Sequence, residues 1–123
     1  MAGRLQDKIA IITGAGSGMG RAMAQVFADE GARLVLADIS GAQDDVAAAI
    51  GNGAVGVHCD VSDEEQVQAM IDTAVVKFGR LDILVNDAAF NKAIPFPDLN
   101  SLSEEVWEKI MAVNLTGPMR LTK

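Results

Sequence analysis

Four short, almost continuously apolar runs alternate with longer segments of helical periodicity, and this alternation constrains the fold more than any other feature of the chain. The runs are Lys8–Thr13, Arg33–Asp38, Ala54–Cys59 and Leu81–Asn86. They are rich in Ile, Val and Leu with weak period-two alternation, which is typical of strands covered on both faces. Such strands alternating with helices predict βαβ units around a parallel sheet.

Apolar residues recur at helical spacing between these runs. Positions three and four apart lie on one face of a helix, so each set predicts a helix packed against the sheet. The first set, which starts after Gly18, consists of Met19, Ala22, Met23, Val26 and Phe27. The second set, which ends before Gly79, consists of Val67, Met70, Ile71, Ala74, Val75 and Phe78. A glycine after the last apolar position is a common helix stop.

Polar residues ahead of the apolar positions indicate where helices start. Ser62 with Glu65, and Ser40 with Gln43, match the capping box, in which two side chains satisfy the first free N–H groups of a helix. A last helix is predicted to open near Ser101–Glu105, where acidic side chains suit the positive end of the helix dipole. The chain therefore reads as a doubly wound α/β sheet.

The composition fits one α/β domain and excludes several functions. The chain has 123 residues, half of them apolar, and no apolar run approaches the roughly 18 residues that cross a bilayer. The first residues lack the apolar core of a signal peptide, so we expect a cytoplasmic protein without membrane contact. The formal charge of −7 argues against nucleic-acid binding, which needs clustered Lys and Arg. With one cysteine and one histidine, no intrachain disulfide and no metal site are predicted.

A glycine-rich turn, Thr13–Gly20, joins the first strand to the first helix. Glycines here permit a tight turn, bring backbone N–H groups close to a ligand, and let helix and strand pack closely. The helix start then offers unpaired N–H groups and a positive dipole end to a phosphate. The strand–turn–helix context predicts a dinucleotide site rather than a simple turn. Its predicted cofactor-binding residues are Gly14, Ser17, Gly18, Met19 and Gly20.

Asp38 ends the second strand, twenty positions after Gly18. A carboxylate there can accept hydrogen bonds from both ribose hydroxyls of an adenosine and repels a 2′-phosphate. Neither Ser17 nor Ile39 is a Lys or Arg that would attract such a phosphate. We therefore expect NAD as the cofactor, with NADP less favoured, and Asp38 and Ile39 as cofactor-binding residues. The alternative is a solvated acid at a strand end.

Three further segments are informative together with the turn, whose sequence fits the pattern TGxxxGxG. Cys59–Ser62 reads CDVS, Asn86–Ala89 reads NDAA, and Val113–Leu115 reads VNL. In order and spacing the four segments resemble the short-chain dehydrogenase/reductase family, in particular members of the 3-oxoacyl-carrier-protein reductase type. The resemblance covers essentially the whole chain. It implies a Rossmann-type parallel sheet with strand order 3-2-1-4, of which residues 1–123 form the N-terminal part of a single NAD(P)-binding domain.

The resemblance also implies roles for particular residues. Asp60 would contact the adenine amino group, and the backbone N–H of Val61 would contact the adenine ring. Asn86 and Ala88 correspond to the family's NNAG motif beside the cofactor. Asn114 corresponds to a catalytic asparagine. Plainer interpretations stay open for the polar residues among them: a strand-end acid, an asparagine in sheet packing, and an ordinary helix irregularity.

Two substitutions and one absence depart from the family's pattern. The family has Asn at position 87 and Gly at position 89, where this chain has Asp87 and Ala89. The first adds a charge near the cofactor and the second narrows the backbone conformations there, which leaves open whether the cofactor is held less tightly. The family's general acid/base is a Tyr with a Lys four residues later and an earlier Ser, but this chain contains no tyrosine. Of the family's four catalytic residues, only Asn114 is present.

Pro118 supports an inference that does not depend on the family. Proline has no N–H, so it cannot close the helical hydrogen bond to the carbonyl of Asn114, four residues earlier. We expect an irregular helix at this point and an Asn114 carbonyl that can hold a water. In the family, that main-chain carbonyl holds a water beside the catalytic Lys.

Three functions remain open from the sequence. The first is an NAD(H)-dependent oxidoreductase that transfers a hydride between nicotinamide and an alcohol or ketone, although the 123 residues alone lack the Tyr–Lys pair and should be inactive. The second is a non-catalytic dinucleotide-binding fragment. The third is a self-associating product: the chain stops inside a predicted helix and before a fifth strand, so it looks truncated. Leu81–Asn86 would then be an exposed apolar edge, and a homo-oligomer is expected.

Overall fold

The computed structural model describes residues 3–89 and 103–122. Within them, four parallel strands form one sheet. The strands are β1 (Ile9–Thr13), β2 (Arg33–Asp38), β3 (Val55–His58) and β4 (Ile83–Val85). Their order is β3-β2-β1-β4. The predicted order is confirmed, since β1 pairs in parallel with β2 on one side and with β4 on the other.

The third and fourth strands are shorter than predicted. β3 ends opposite Asp38, where β2 also ends, and a single further bond joins the Cys59 N–H to the Asp38 carbonyl (3.1 Å). β4 keeps only the residues that pair with β1, and the Asp82 N–H adds one bond to the Ile9 carbonyl (2.9 Å). Pairing with the neighbouring strand sets these ends, and apolar content alone overestimates them.

Helices connect the strands and follow the last of them. In the described ranges they are α1 (Gly18–Asp29), α2 (Ala42–Ile50), α3 (Glu64–Phe78), α4 (Glu104–Met111) and α5 (Gly117–Thr122), with a π-helical turn at Ala112–Thr116. The last helical segment opens where expected, because the hydroxyl of Ser103 caps α4 by accepting the Val106 N–H (3.2 Å). Ser101 lies outside the described residues. None of the helices described combines the length and apolar content that a membrane span requires.

The two faces of the sheet carry separate cores. Side chains alternate across a strand, so Ala10 and Ile12 of β1 face one layer and Ile11 faces the other. Residues of α1 and α2 cover the first face, and residues of α3 and α5 cover the second. β1 is buried along its whole length, as its apolar run predicted. Coverage on both faces leaves the outer strands and the two ends of the strands, among them the carboxyl ends, as the accessible parts of the sheet.

The apolar stripes predicted for α1 and α3 are wrong in part. Their exposed members are Met19 (70%), Ala22, Val26 (53%) and Val75 (46%). In α1 the buried residues are instead Gly20 and Ala24. A Cβ on Gly20 would overlap the backbone of the preceding turn, so this end of the helix lies too close for a large side chain. The prediction is right for Met23 and Phe27, which pack against the core, and it misses the small residues that are buried beside them.

The capping box predicted for α3 is wrong by one residue. Asp63 is the N-cap, and its carboxylate accepts the N–H groups of Glu65 (3.0 Å) and Gln66 (3.2 Å). Ser62 instead donates both its N–H (2.9 Å) and its hydroxyl (2.6 Å) to Asp60. The serine is thus used to hold a carboxylate, and the adjacent acid caps the helix.

The capping box predicted for α2 is also wrong. The residue before the helix is Gly41, with φ of 88°, so Ser40 lies one position too early, although its hydroxyl accepts the first N–H of the helix, that of Ala42 (3.2 Å). Gln43, predicted to reach back to the cap, is 1% exposed and turns inward. Its side-chain amide donates to the carbonyls of Asp38 (3.1 Å) and Val57 (3.2 Å). Gln43 therefore ties together the carboxyl ends of β2 and β3.

Candidate functional site

A cleft of about 390 Å³ opens at the carboxyl ends of the strands. It lies where β1 has β2 on one side and β4 on the other, which is the place where doubly wound sheets bind ligands. The cleft brings together most of the residues that the sequence assigned to a cofactor: Gly14, Ser17, Gly18, Met19, Asp38, Ile39, Asp60, Val61 and Ala88. It is also lined by residues without such an assignment: Cys59, Asp87, Ala89, Lys109 and Val113.

The glycine-rich turn forms one wall of the cleft, and its glycines act differently. Gly14 (φ 69°) and Gly18 (φ 56°) are in the left-handed region, where glycine has no steric penalty. A Cβ on Gly14 would lie 3.0 Å from the backbone of Ala88, so the turn approaches the chain after β4 closely. At Gly18 a Cβ would meet no atom within 4 Å. Gly14 thus permits close packing, and Gly18 sets the conformation of the turn beside open space.

The start of α1 is directed at this open space. Ser17 is the N-cap, its side chain makes no capping hydrogen bond, and the first turn of the helix contains no acidic residue. Ser17, Gly18 and Met19 all line the cleft. Because the first N–H groups of a helix lack partners inside the helix and carry partial positive charge, this end of α1 can bind an anionic group. Gly20 lies beneath it, buried against the turn.

Asp38 joins the glycine-rich turn to the end of β2. Its Oδ2 accepts the N–H of Gly16 at 2.8 Å, and its Oδ1 accepts the N–H groups of Ile39 at 2.7 Å and Ser40 at 3.3 Å. These bonds fix the orientation of the carboxylate at the cleft wall. A carboxylate has about four acceptor positions, so it retains capacity for a ligand hydroxyl.

Asp60 places a second carboxylate in the cleft, after β3. The hydrogen bond from the Ser62 hydroxyl holds the pKa of this carboxyl below its usual value, against partial burial, which raises it. The charge of Lys109 lowers the pKa further. The Asp60 carboxyl is therefore an ionised acceptor at neutral pH, which suits an amino group on a ligand. Burial, followed by the charge of Asp60, raises the pKa of the neighbouring Cys59 thiol to about 11.

Thr13 holds the chain after β4 in place, a role that the sequence analysis missed. The side chain is 1% exposed, and its hydroxyl accepts the N–H groups of Asp87 and Ala88, both at 3.1 Å. The same hydroxyl donates to the carbonyl of Val85 at 3.2 Å. A hydroxyl at the end of a fully buried apolar strand was the available signal, because such a group needs partners.

The family model for short chain dehydrogenases matches residues 8–123. The chain belongs to this family. Galactitol 2-dehydrogenase of Agrobacterium fabrum is 44% identical over 121 residues, which are 98% of this chain and 46% of that protein. D-threitol dehydrogenase of Mycolicibacterium smegmatis is 40% identical over 118 residues, 93% of this chain and 44% of that protein. The chain thus spans about half the length of the curated relatives it matches.

Solved structures agree with the fold of this chain. A 3-ketoacyl-(acyl-carrier-protein) reductase from Brucella melitensis, solved in complex with NADH, superimposes with a TM-score of 0.90 at 39% identity. The match covers 96% of this chain and 48% of that one. The predicted family and the Rossmann-type α/β architecture are confirmed.

Asn86 and Asn114 do not line the cleft. Asn86 is exposed, and its Nδ2 donates to the hydroxyl of Thr122 at 3.3 Å. Asn114 is also exposed and lines a separate, shallow cavity of about 460 Å³ together with Pro118 and Thr122. Thr122 thus links both asparagines to one region beside the cleft. Their assignment to cofactor binding and catalysis stays a prediction.

The irregular helix predicted at Pro118 is present. The backbone between α4 and α5 forms a π-helical turn, in which the Gly117 N–H donates to the Ala112 carbonyl, five residues earlier. A Cβ on Gly117, the first residue of α5, would overlap the carbonyl of Val61, a residue that lines the cleft. The chain directly after the π turn is therefore in backbone contact with the cleft wall.

Proposed function

We propose that the cleft binds NAD(H) and that the chain is the cofactor-binding part of an oxidoreductase. The diphosphate would lie at the start of α1, the adenosine ribose at Asp38, and the adenine beside Asp60 and Val61. The observation that carries the proposal is the hydrogen bond from the Gly16 N–H to Asp38 Oδ2 (2.8 Å), because it places the carboxylate that would accept the ribose hydroxyls next to the turn that would receive the diphosphate, and ribose and diphosphate are adjacent groups of one dinucleotide. Membership of the family and a relative solved with NADH support it.

The proposed reaction of the whole protein is the interconversion of an alcohol and a ketone, for which bound NAD(H) supplies the hydride chemistry. The residues of this chain would bind and orient the dinucleotide. Relatives named as dehydrogenases of galactitol and D-threitol favour a polyol or another small alcohol as the substrate class. Asn114, on the π turn, is proposed as the family's catalytic asparagine, and π-helical turns are frequent at functional sites.

The preference proposed is for NAD over NADP. A 2′-phosphate would lie near the Asp38 carboxylate, and like charges at short range repel each other. Ser17 and Ile39, which line the same part of the cleft, carry no charge to offset that repulsion. The two hydroxyls of an unphosphorylated ribose would instead donate to the carboxylate.

Isothermal titration calorimetry with NAD, NADP and ADP-ribose tests this proposal. We expect NAD to bind at least tenfold more tightly than NADP. Asp38→Asn removes the charge, so it should narrow that difference. Its single oxygen replaces only one of the two carboxylate oxygens that accept backbone N–H groups, so we also expect a lower stability of the variant. Asp7→Asn is the matched control: it makes the same change in charge before β1, at the other end of the sheet, and Asn tolerates the φ of 63° found there. Folded protein that binds neither NAD nor ADP-ribose would overturn the proposal.

A second candidate is dinucleotide binding without turnover by these 123 residues. The observation that favours it is the absence of tyrosine from the chain, since the family's acid/base is a Tyr. Incubation with NAD⁺ and galactitol or D-threitol, followed by the absorbance of NADH, separates the two. We expect binding but no NADH from the 123-residue chain, and its formation by pure protein would exclude this candidate.

A further inference from the structure

Asp87 lies near the proposed diphosphate position, and the proposed function gives this residue no role. It lines the cleft together with Gly14, Ser17 and Gly18. The position that a Cβ on Gly20 would occupy lies 2.9 Å from Asp87 Oδ2, so the carboxylate lies against the first turn of α1. That turn has no acidic residue of its own and no side-chain cap. Asp87 therefore supplies a negative charge to the positive end of this helix from outside it.

Acidic side chains outnumber basic ones in the described lining of the cleft. Within residues 3–89 and 103–122, the acidic side chains that line it are Asp38, Asp60 and Asp87, and the basic one is Lys109. Lys109 acts electrostatically on Asp60, whose pKa it lowers. A ligand that carries negative charge to the start of α1 would meet the field of Asp87 there, in a partly enclosed space where charges are less screened than in bulk water.

We infer that Asp87 is a specificity-determining residue that disfavours a diphosphate at the start of α1 and leaves adenosine recognition unchanged. The inference rests on the proposed function and adds that a single side chain, the Asp87 carboxylate, weakens the binding of the dinucleotide. The Asp87 backbone is fixed independently of its carboxylate, since the N–H donates to the Thr13 hydroxyl (3.1 Å). Replacing the carboxylate by an amide of the same shape therefore changes the charge and keeps the chain in place.

The test compares Asp87→Asn with the unmodified chain by calorimetry, using ADP-ribose and adenosine as probes. We expect the variant to bind ADP-ribose about tenfold more tightly, equivalent to about 1.4 kcal/mol, and to bind adenosine within about twofold of the unmodified chain. The gain should shrink as salt is raised, because salt screens charge–charge repulsion. A rearranged cleft would change both affinities and would not show this salt dependence.

Asp7→Asn serves again as the control for the change in net charge, and we expect it to leave both affinities unchanged. Equal ADP-ribose affinity of the Asp87→Asn variant and the unmodified chain overturns the inference and leaves the proposed function standing. Equal tightening for adenosine and ADP-ribose also overturns it. If neither protein binds ADP-ribose while both are folded, the proposed function fails, and the inference fails with it.

Discussion

Thr13→Val tests whether one buried hydroxyl holds the cleft wall together. Valine has nearly the shape of threonine, so the change removes the hydroxyl and little else. The hydroxyl accepts the N–H groups of Asp87 and Ala88 and donates to the Val85 carbonyl. Each half-buried group left without its partner costs about 1 kcal/mol, the lower end of the range because water reaches the cleft. The total is about 3 kcal/mol of unfolding free energy.

Urea denaturation followed by circular dichroism measures this loss. For a slope of about 2 kcal/mol per molar, the midpoint of Thr13→Val should fall by about 1.5 M. Thr13→Ser keeps the hydroxyl and loses one methyl, which costs about 1 kcal/mol, so its midpoint should fall by about 0.5 M. ADP-ribose affinity should weaken only in the valine variant. Equal midpoints for the two variants would refute the reasoning, because loss of the hydroxyl would then cost no more than loss of one methyl group.

Four further outcomes are expected. Gly20→Ala should unfold the chain or lower its urea midpoint severely, because the new Cβ overlaps the preceding turn. Gly18→Ala meets open space but needs a positive φ, so it should lower the free energy of unfolding by only about 1–2 kcal/mol. Cys59 should react with iodoacetamide at pH 8 far more slowly in folded than in urea-unfolded protein, since a pKa of about 11 leaves roughly one thiol in a thousand ionised. In the folded protein the pKa of the Asp60 carboxyl lies below its ordinary value. The stability that this carboxylate contributes is therefore present above the ordinary pKa and is lost as pH falls through the folded pKa. Asp60→Asn lacks this contribution, so its urea midpoint should fall less on acidification than that of the unmodified chain. The 123-residue chain should associate with itself as its concentration rises, because β4 pairs only with β1 among the described strands; sedimentation of one species at monomer mass throughout would contradict this.

The sheet was predictable because its determinants are local and strong. The run Arg33–Asp38 gave β2 with both ends correct, since an apolar segment buried on both faces has few alternatives. The strand order followed from chain topology and the family's pattern. The ends of β3 and β4 were not predictable to the residue, because they depend on where the neighbouring strand offers a partner.

The predictions of helix faces and caps failed where small residues form the contact or where two adjacent side chains could both cap the helix. Gly20 and Ala24 are the buried residues of α1, but a pattern search gives them little weight compared with Met19 and Val26. At α3 the sequence offers two adjacent residues with capping side chains. Only the structure shows that one of them, Ser62, is already bonded to Asp60.

The candidate site was predictable where residues adjoin in sequence and less so where the fold assembles them. The glycine turn and Asp38 follow from spacing along one βαβ unit. Lys109 and Val113 line the cleft although they lie about fifty residues after β3 in the sequence, and no periodicity of the sequence predicts this contact. Asp87 was recognised as a departure from the family's motif, but its position against α1 required coordinates.

The bond between Asp38 and Gly16 has a consequence for anyone who wishes to redesign the cleft. Asp38, which would discriminate between NAD and NADP, also stabilises the glycine-rich turn that would bind both of them. Swapping it for a small or basic residue would open room for an extra phosphate and, in the same step, loosen the loop's main chain. A change of cofactor choice in this molecule therefore requires a second substitution that restores an acceptor for that amide.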